Sequence, residues 1–237
     1  MSIRIVLVGT THPGNIGAVA RAMKNMGVAD LTLVRPRYFP HEEAVARASG
    51  AEDILENAAV VAKLEDALQD CVYVAGATAR SRTIDWPCLN PRDCAAKLHL
   101  ESSRGVVAAV FGPESSGLSN AELDRCDTLL TIPTRPGFSS LNLAMAVQIL
   151  TYELCAAQSD APPGYDAEAR PATGGELEHF YDHLEQVLRD LQFLNPDNPR
   201  HLMRRLRRLI IRARLDKNEI NILRGILAAV DRSLRGG

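Results

Sequence analysis

The chain is poor in the residues that mark several functional classes. Cysteine occurs five times in 237 residues (Cys71, Cys88, Cys94, Cys126, Cys155), odd in number and never as a CxxC pair. That scatter argues against a disulfide scaffold, offers no zinc-type ligand set and suits a reducing cytoplasm, so no metal is expected. No window approaches ~18 consecutive apolar residues, so no membrane-spanning helix is expected. The start runs straight into IRIVLV without a basic stretch or cleavage pattern, so export is not expected either. A net charge of −2 leaves no excess for indiscriminate attachment to polyanions. The glycine fingerprints of dinucleotide and P-loop folds are missing, which counts against a dinucleotide-dependent oxidoreductase. GxSxG is missing as well, and no His/Asp partners complete a triad, so nucleophilic serine catalysis is not expected.

What is present is an alternation of short apolar runs and helical patterns. IRIVLV (3–8), LTLV (31–34), VYVAGA (72–77), GVVAAVF (105–111) and TLLTIP (128–133) read as strands, several of them continuously apolar. That character is expected where both faces of a sheet are covered. Helical patterns lie between them: AVARAMKNMG ending at Gly27, residues 41–57, 65–70 and 91–98, a helix opened by Asn120, and one from Ser139 or Ser140 to about 157. The order predicts an α/β fold with a mostly parallel sheet over residues 1–157. Residues 158–175, rich in Pro, Gly and Ala, read as a linker. Residues 176–237 read as a small three-helix domain, with apolar stripes through 177–194, 200–214 (Leu202, Leu206, Leu209, Ala213) and 217–234 (Ile220, Leu223, Ile226, Leu227, Val230, Leu234).

Three strand-to-helix junctions carry most of the chemistry. HPGNIGAVAR (12–21), FGPESSGLS (111–119) and IPTRPGFSSLNLAMA (132–146) place Gly, Ser, Asn and backbone N–H groups where strands end, the usual ligand edge of an α/β protein. Arg21 lies among Ala18, Ala20, Ala22 and Met23, where an arginine must face water or find a partner. Glu114 sits between turn residues, and Ser139, Ser140 and Asn142 crowd a helix start.

In order and spacing these three stretches resemble the motifs of the SPOUT superfamily, in its SpoU/TrmH branch of RNA ribose 2′-O-methyltransferases. With ATARSRT (77–83) and RRLIIRARLDKNEINILRGILA (207–228), the whole chain resembles the bacterial TrmJ family, which methylates the ribose of C or U at position 32 of the tRNA anticodon loop. The resemblance implies an α/β fold with a deep trefoil knot, S-adenosylmethionine (SAM) as cofactor, tRNA as partner and a homodimer. Matched position by position, it implies cofactor contacts at Ala77, Thr78, Ala79, Gly112, Ile132, Ser139, Ser140 and Leu141. It implies catalytic roles for Arg21 and for Asn15, Glu114, Ser140 and Asn142, which would orient Arg21 and the ribose.

Arg80 and Arg82 follow the cofactor residues and are expected to meet RNA phosphate. Residues 200–214 hold seven arginines and no acid, including Arg204, Arg205, Arg208 and Arg212. A cluster that one-sided predicts RNA contact rather than a merely solvated face. The three aromatics of the tail, Phe180, Tyr181 and Phe193, have core spacing, so stacking there is expected to be minor. The competing readings are a ribosomal-RNA methyltransferase of the same branch and an inert RNA-binding module. The presence of both Arg21 and Asn142 speaks against the inert module.

Overall fold

The computed structural model describes residues 2–79, 87–135, 137, 140–157, 170–195 and 201–235. The contacts divide the chain into two units, residues 1–165 and 166–237.

In the first unit the strands are β1 (Ile3–Val8), β2 (Asp30–Val34), β3 (Ala59–Val61), β4 (Cys71–Ala77), β5 (Cys88–Leu89), β6 (Val106–Phe111) and β7 (Thr128–Leu130). The helices are α1 (Pro13–Asn25), α2 (Glu42–Ala48), α3 (Glu52–Glu56), α4 (Leu64–Leu68), α5 (Pro91–Glu101), α6 (Asn120–Leu123) and α7 (Leu143–Ala157). Among the described residues the strands form one sheet in the order β3-β2-β1-β6-β4-β7-β5, and every pairing is parallel. Ile5, Val6 and Leu7 are all fully buried, which is why β1 reads as an unbroken apolar run. Helices α1, α2, α5 and α7 share one core with Ile3, Ile5 and Leu7, through Ile16, Met23, Ala44, Leu98, Leu150 and Leu154. Gly17 permits the close α1–α2 approach, because a Cβ there would lie 2.0 Å from the Ala44 carbonyl oxygen.

From β1 the chain winds outward through β2 and β3, then crosses to build the other half from β4 and β6. The switch point therefore lies between β1 and β6, with the loops after both strands at the same carboxyl edge.

Several boundaries differ from expectation. The helical pattern at 41–57 breaks into α2 and α3, because Ser49 (φ 45°) and Gly50 (φ 90°) take the left-handed conformation that ends a helix. Ser119, not Asn120, caps α6: its side chain accepts from the Glu122 N–H while Glu122 bonds back, a reciprocal capping box. Helix α7 begins at Leu143, later than Ser139 or Ser140, and the Asn142 side chain caps it by accepting from the Ala144 N–H at 2.9 Å. The strand expected over 128–133 stops at Leu130.

The second unit holds α8 (Gly174–Asp190), α9 (Leu202–Ala213) and α10 (Lys217–Arg235) around Phe180, Tyr181, Val187, Ile220 and Leu227. Residues 170–173, at the end of the stretch read as linker, are bonded into this unit. The Ala172 N–H donates to Leu215 (3.1 Å), and the Lys217 N–H to Arg170 (3.0 Å). The stripe expected on α9 is rotated: Leu209 is 53% exposed while Ile211 is buried. Arg207 explains the rotation. It turns inward over the Tyr181 ring (4.3 Å to the centroid), and its Nη2 donates to Glu178 at 2.8 Å. Burial, the largest influence, would lower its pKa, but the bond and charge of Glu178, with Tyr181 and Asp182 nearby, together outweigh it and raise the value. On α10, Ile226 and Leu234 are exposed rather than in the stripe.

Candidate active site

A cavity of about 280 Å³ opens at the carboxyl edge of the sheet, over the ends of β4, β6 and β7 and beside the start of α7. Its lining includes Ala77, Thr78, Ala79, Gly112, Ile132, Ser140 and Leu141, seven of the positions matched to cofactor contacts. The eighth, Ser139, lies outside the described residues. Leu130, Leu143 and Ala146 add apolar wall, and Ser115, Ser116 and Gly117 add a polar turn, none of them singled out by the sequence. Gly112 is required by close approach. A Cβ there would meet the Leu118 nitrogen at 2.3 Å and the Gly117 carbonyl carbon at 2.4 Å, so only glycine lets the turn fold back on itself.

Glu114 stands on the wall of this cavity and ties the loops together. Its Oε2 accepts from the Thr11 N–H (3.1 Å) and from the Thr11 hydroxyl (2.9 Å). Its Oε1 accepts from the His12 N–H (3.3 Å) and from Asn15 Nδ2 (2.8 Å). Asn15 Oδ1 in turn accepts from Asn142 Nδ2 at 3.1 Å. The orientation of both amides follows from the ends of this relay. Asn142 Oδ1 already accepts from Ala144, so its NH₂ must face Asn15. The NH₂ of Asn15 must then face a carboxylate that can only accept. Partial burial would push the Glu114 carboxyl up, but the bonds from Asn15 and Thr11 more than offset it. The carboxyl is held below its ordinary range and is ionised at neutral pH.

Asn15, Glu114 and Asn142 are therefore brought together, and Ser140 lies on the adjoining wall. Arg21 is not part of this relay. It is exposed on α1, and its guanidinium makes no hydrogen bond or ion pair to a described residue. Of the two outcomes its apolar neighbours allow, facing water or finding a partner, it takes the first. Six helical residues carry it ~9 Å along and ~120° around from Asn15.

Of the arginines matched to RNA, Arg80 and Arg82 lie outside the described residues. On α9, Arg205 and Arg212 are exposed, whereas Arg204 and Arg208 are half-buried and engaged in contacts. Among the described residues no cluster of His, Cys, Asp or Glu could hold a metal ion, and no helix is long and apolar enough to cross a membrane. Sequence reasoning missed Thr11, whose hydroxyl and N–H both serve Glu114. Its place at the end of the β1 junction, one turn before Asn15, was the available signal.

Residues 2–152 match the family described as the SpoU rRNA Methylase family, and residues 175–237 match the tRNA methyltransferase TrmJ C-terminal domain. The chain is 53% identical over 246 residues to the tRNA (cytidine/uridine/adenosine-2'-O-)-methyltransferase TrmJ of Pseudomonas aeruginosa, covering 99% of this chain and 95% of that one. It is 48% identical over 240 residues to the tRNA (cytidine/uridine-2'-O-)-methyltransferase TrmJ of Klebsiella pneumoniae, covering 99% and 98%. The crystal structure of TrmJ from Z. mobilis superposes with a TM-score of 0.87 at 36% identity, over 98% of this chain and 100% of that one.

Proposed function

The chain belongs to the SpoU methylase family and, over nearly its whole length, to the TrmJ methyltransferases within it; from that premise we propose that it is a SAM-dependent tRNA ribose 2′-O-methyltransferase acting on C or U at position 32 of the anticodon loop. The observation that carries the reading is the relay from Asn142 through Asn15 to Glu114, built beside a cavity whose walls suit SAM. The match of residues 175–237 to a tRNA methyltransferase domain favours tRNA over ribosomal RNA as substrate.

The cavity fits the cofactor chemically. Leu130, Ile132, Leu143 and Ala146 offer apolar surface to a purine, and small residues at 77–79 and 112–117 leave backbone groups open to its polar edges. The ionised Glu114 on the wall suits a cationic ligand. When bound, SAM supplies a methyl group made electrophilic by its sulfonium.

The protein's task is to aim the ribose 2′-hydroxyl, a poor nucleophile, and to ease the loss of its proton. Asn15, Glu114, Ser140 and Asn142 fix the loops that orient the ribose. Arg21 binds the neighbouring phosphate and steadies the charge growing on the oxygen. With a pKa above ~12 it scarcely deprotonates, so a phosphate oxygen or water takes the proton. Because Arg21 is exposed and takes no part in its own relay, it serves the site of a second copy in a homodimer. The exposed Met145 (62%) and Tyr152 (57%) on α7 give a partner apolar surface to cover. In this reading residues 1–157 form the knotted catalytic domain and residues 176–237 bind RNA. Arg205 and Arg212, with Arg204, Arg208, Arg80 and Arg82, meet tRNA phosphates in the cytoplasm.

The test is methyl transfer from labelled SAM to tRNA transcripts carrying C, U, A or G at position 32, followed by mapping of the modified nucleotide. Adenosine is included because the Pseudomonas relative is named for it. A 2′-O-methyl at position 32 supports the proposal; no transfer to any transcript, or methylation at another position, overturns it. If Arg21→Lys keeps full activity and its pH limb moves to the lower pKa of lysine, the arginine is a base instead.

A further inference from the structure

Resting on the tRNA reading above, we propose that the segment after β2, Arg35–Tyr38 (RPRY), is a second RNA contact of the catalytic unit. Arg37 takes a backbone phosphate and Tyr38 stacks on a base close to the nucleotide being methylated.

The backbone of this segment is pinned at the carboxyl edge of the sheet from several sides. The Arg35 N–H donates to the Val61 carbonyl at 3.0 Å, and the Arg37 N–H to the Thr10 carbonyl, also at 3.0 Å. The Arg35 guanidinium pairs with Glu122 Oε1 at 3.1 Å, while Oε2 of Glu122 serves the Ser119 cap at 2.8 Å. One strut thus joins the loop after β1, where Thr11 holds Glu114, to the start of α6, just past the turn that walls the cavity.

The side chains on this strut divide by role. Phe39 packs against the core and anchors the segment, whereas its neighbour Tyr38 is 50% exposed. The Arg35 guanidinium is occupied by Glu122, whereas the Arg37 guanidinium makes no hydrogen bond or ion pair to a described residue. It lies over the Tyr38 ring, 5.3 Å from the centroid. A lone exposed tyrosine would be ordinary. Here an open ring, an unpaired guanidinium and a rigid backbone coincide beside the catalytic relay. A ring for stacking and a cation for phosphate are how proteins hold unpaired loop nucleotides, and pinning the backbone beforehand lowers the entropic cost of binding.

The experiment measures tRNA affinity, its salt dependence and the KM for tRNA in Tyr38→Ala, Tyr38→Phe and Arg37→Ala, with SAM affinity and melting temperature as controls. Tyr38→Ala should raise the Kd and KM for tRNA about tenfold, the range of one lost base stack. Tyr38→Phe should stay within twofold, since the ring is kept. Arg37→Ala should reduce the slope of log K against log salt by about 0.7–1. SAM affinity and melting temperature should be unchanged in all three. If the wild-type chain methylates tRNA while Tyr38→Ala and Arg37→Ala bind it within twofold and with the wild-type slope, this contact is wrong and the function stands. A wild-type chain that neither binds nor methylates tRNA removes both.

Discussion

Replacing Glu114 by glutamine keeps its shape and removes what the relay depends on. The carboxylate accepts from two N–H groups, one hydroxyl and the Asn15 amide, at 2.8–3.3 Å. Glutamine has one accepting oxygen: turned toward His12 and Asn15, it sets an NH₂ against the Thr11 N–H while the Thr11 hydroxyl rotates to accept; turned the other way, its NH₂ faces both the His12 N–H and the Asn15 amide. Asn15 cannot rotate to accept from it without breaking the bond from Asn142 (3.1 Å). A hydrogen bond to a charged group contributes ~1.5–3 kcal/mol net when buried, and partial exposure discounts these to about 1 kcal/mol each. Losing one of the four bonds and the charge assistance of the others should cost about 2 kcal/mol of site order. At ~1.4 kcal/mol per decade that is roughly 30-fold in kcat/KM. Thr11→Val removes only the hydroxyl bond and should cost ~1 kcal/mol, about fivefold. Tritium transfer from SAM to tRNA, with calorimetric SAM affinity and a melting curve for each variant, reads the series. The reasoning is refuted if Glu114→Gln stays within threefold of wild type, or if Thr11→Val costs as much as Glu114→Gln.

The same carboxylate makes stability depend on pH. Its folded pKa is depressed, so its contribution is complete above the unfolded value of ~4.3 and is lost as pH falls through the lower folded value. Urea midpoints should show a wild-type advantage over Glu114→Gln that is flat from pH 7 to about 5 and shrinks below ~4; an advantage growing on acidification contradicts the assignment. Gly112→Ala would place a Cβ 2.3 Å from the Leu118 nitrogen, so the turn must open, and calorimetry should show SAM affinity reduced at least ~10-fold. On α9 the arginines should separate by role. Arg207→Ala, losing Glu178 and Tyr181, should lower the unfolding midpoint of a 166–237 fragment or, if that fragment does not fold, its hydrogen-exchange protection in the whole chain. Arg205→Ala with Arg212→Ala should leave folding intact and lower the salt slope of tRNA binding by about 1.5–2.

How much of this was legible in the sequence depended on how local each cause was. Strand β1 and its parallel neighbours were readable because burial on both faces leaves continuous apolar runs. Strands β3 and β5, with three and two residues, are too short for any period to register. The rotation of α9 was unreadable for another reason: pattern counting assigns every arginine to water, and Arg207 is held inward by an aromatic ring and a carboxylate on another helix. The Ser49–Gly50 break was readable in principle, since Ser-Gly is a common stop, but the apolar periodicity on either side masked it. The segment Arg35–Tyr38 matched no motif. Its interest comes from which cation is paired and which is not, and that is a property of three dimensions.

The candidate site shows the same division more sharply. Asn15, Glu114 and Asn142 could each be singled out at a strand-to-helix junction, yet nothing in the sequence says that they touch, being 99 and 127 positions apart. Their contact follows from topology: parallel strands deliver every such junction to one edge, and the switch between β1 and β6 sets the first two loops face to face. Once there, donor and acceptor chemistry leaves a single arrangement. A helix-capping amide hands its NH₂ to a second amide, which hands its own to a carboxylate. The cap of α7, the entry of α1 and the cavity wall are thereby fixed together. A ligand that orders the start of α7 at Ser140 and Leu141 must also stiffen Asn15 and the helix that carries Arg21. Cofactor and RNA affinity should therefore rise together, and uncoupling them should require breaking the relay rather than either binding surface.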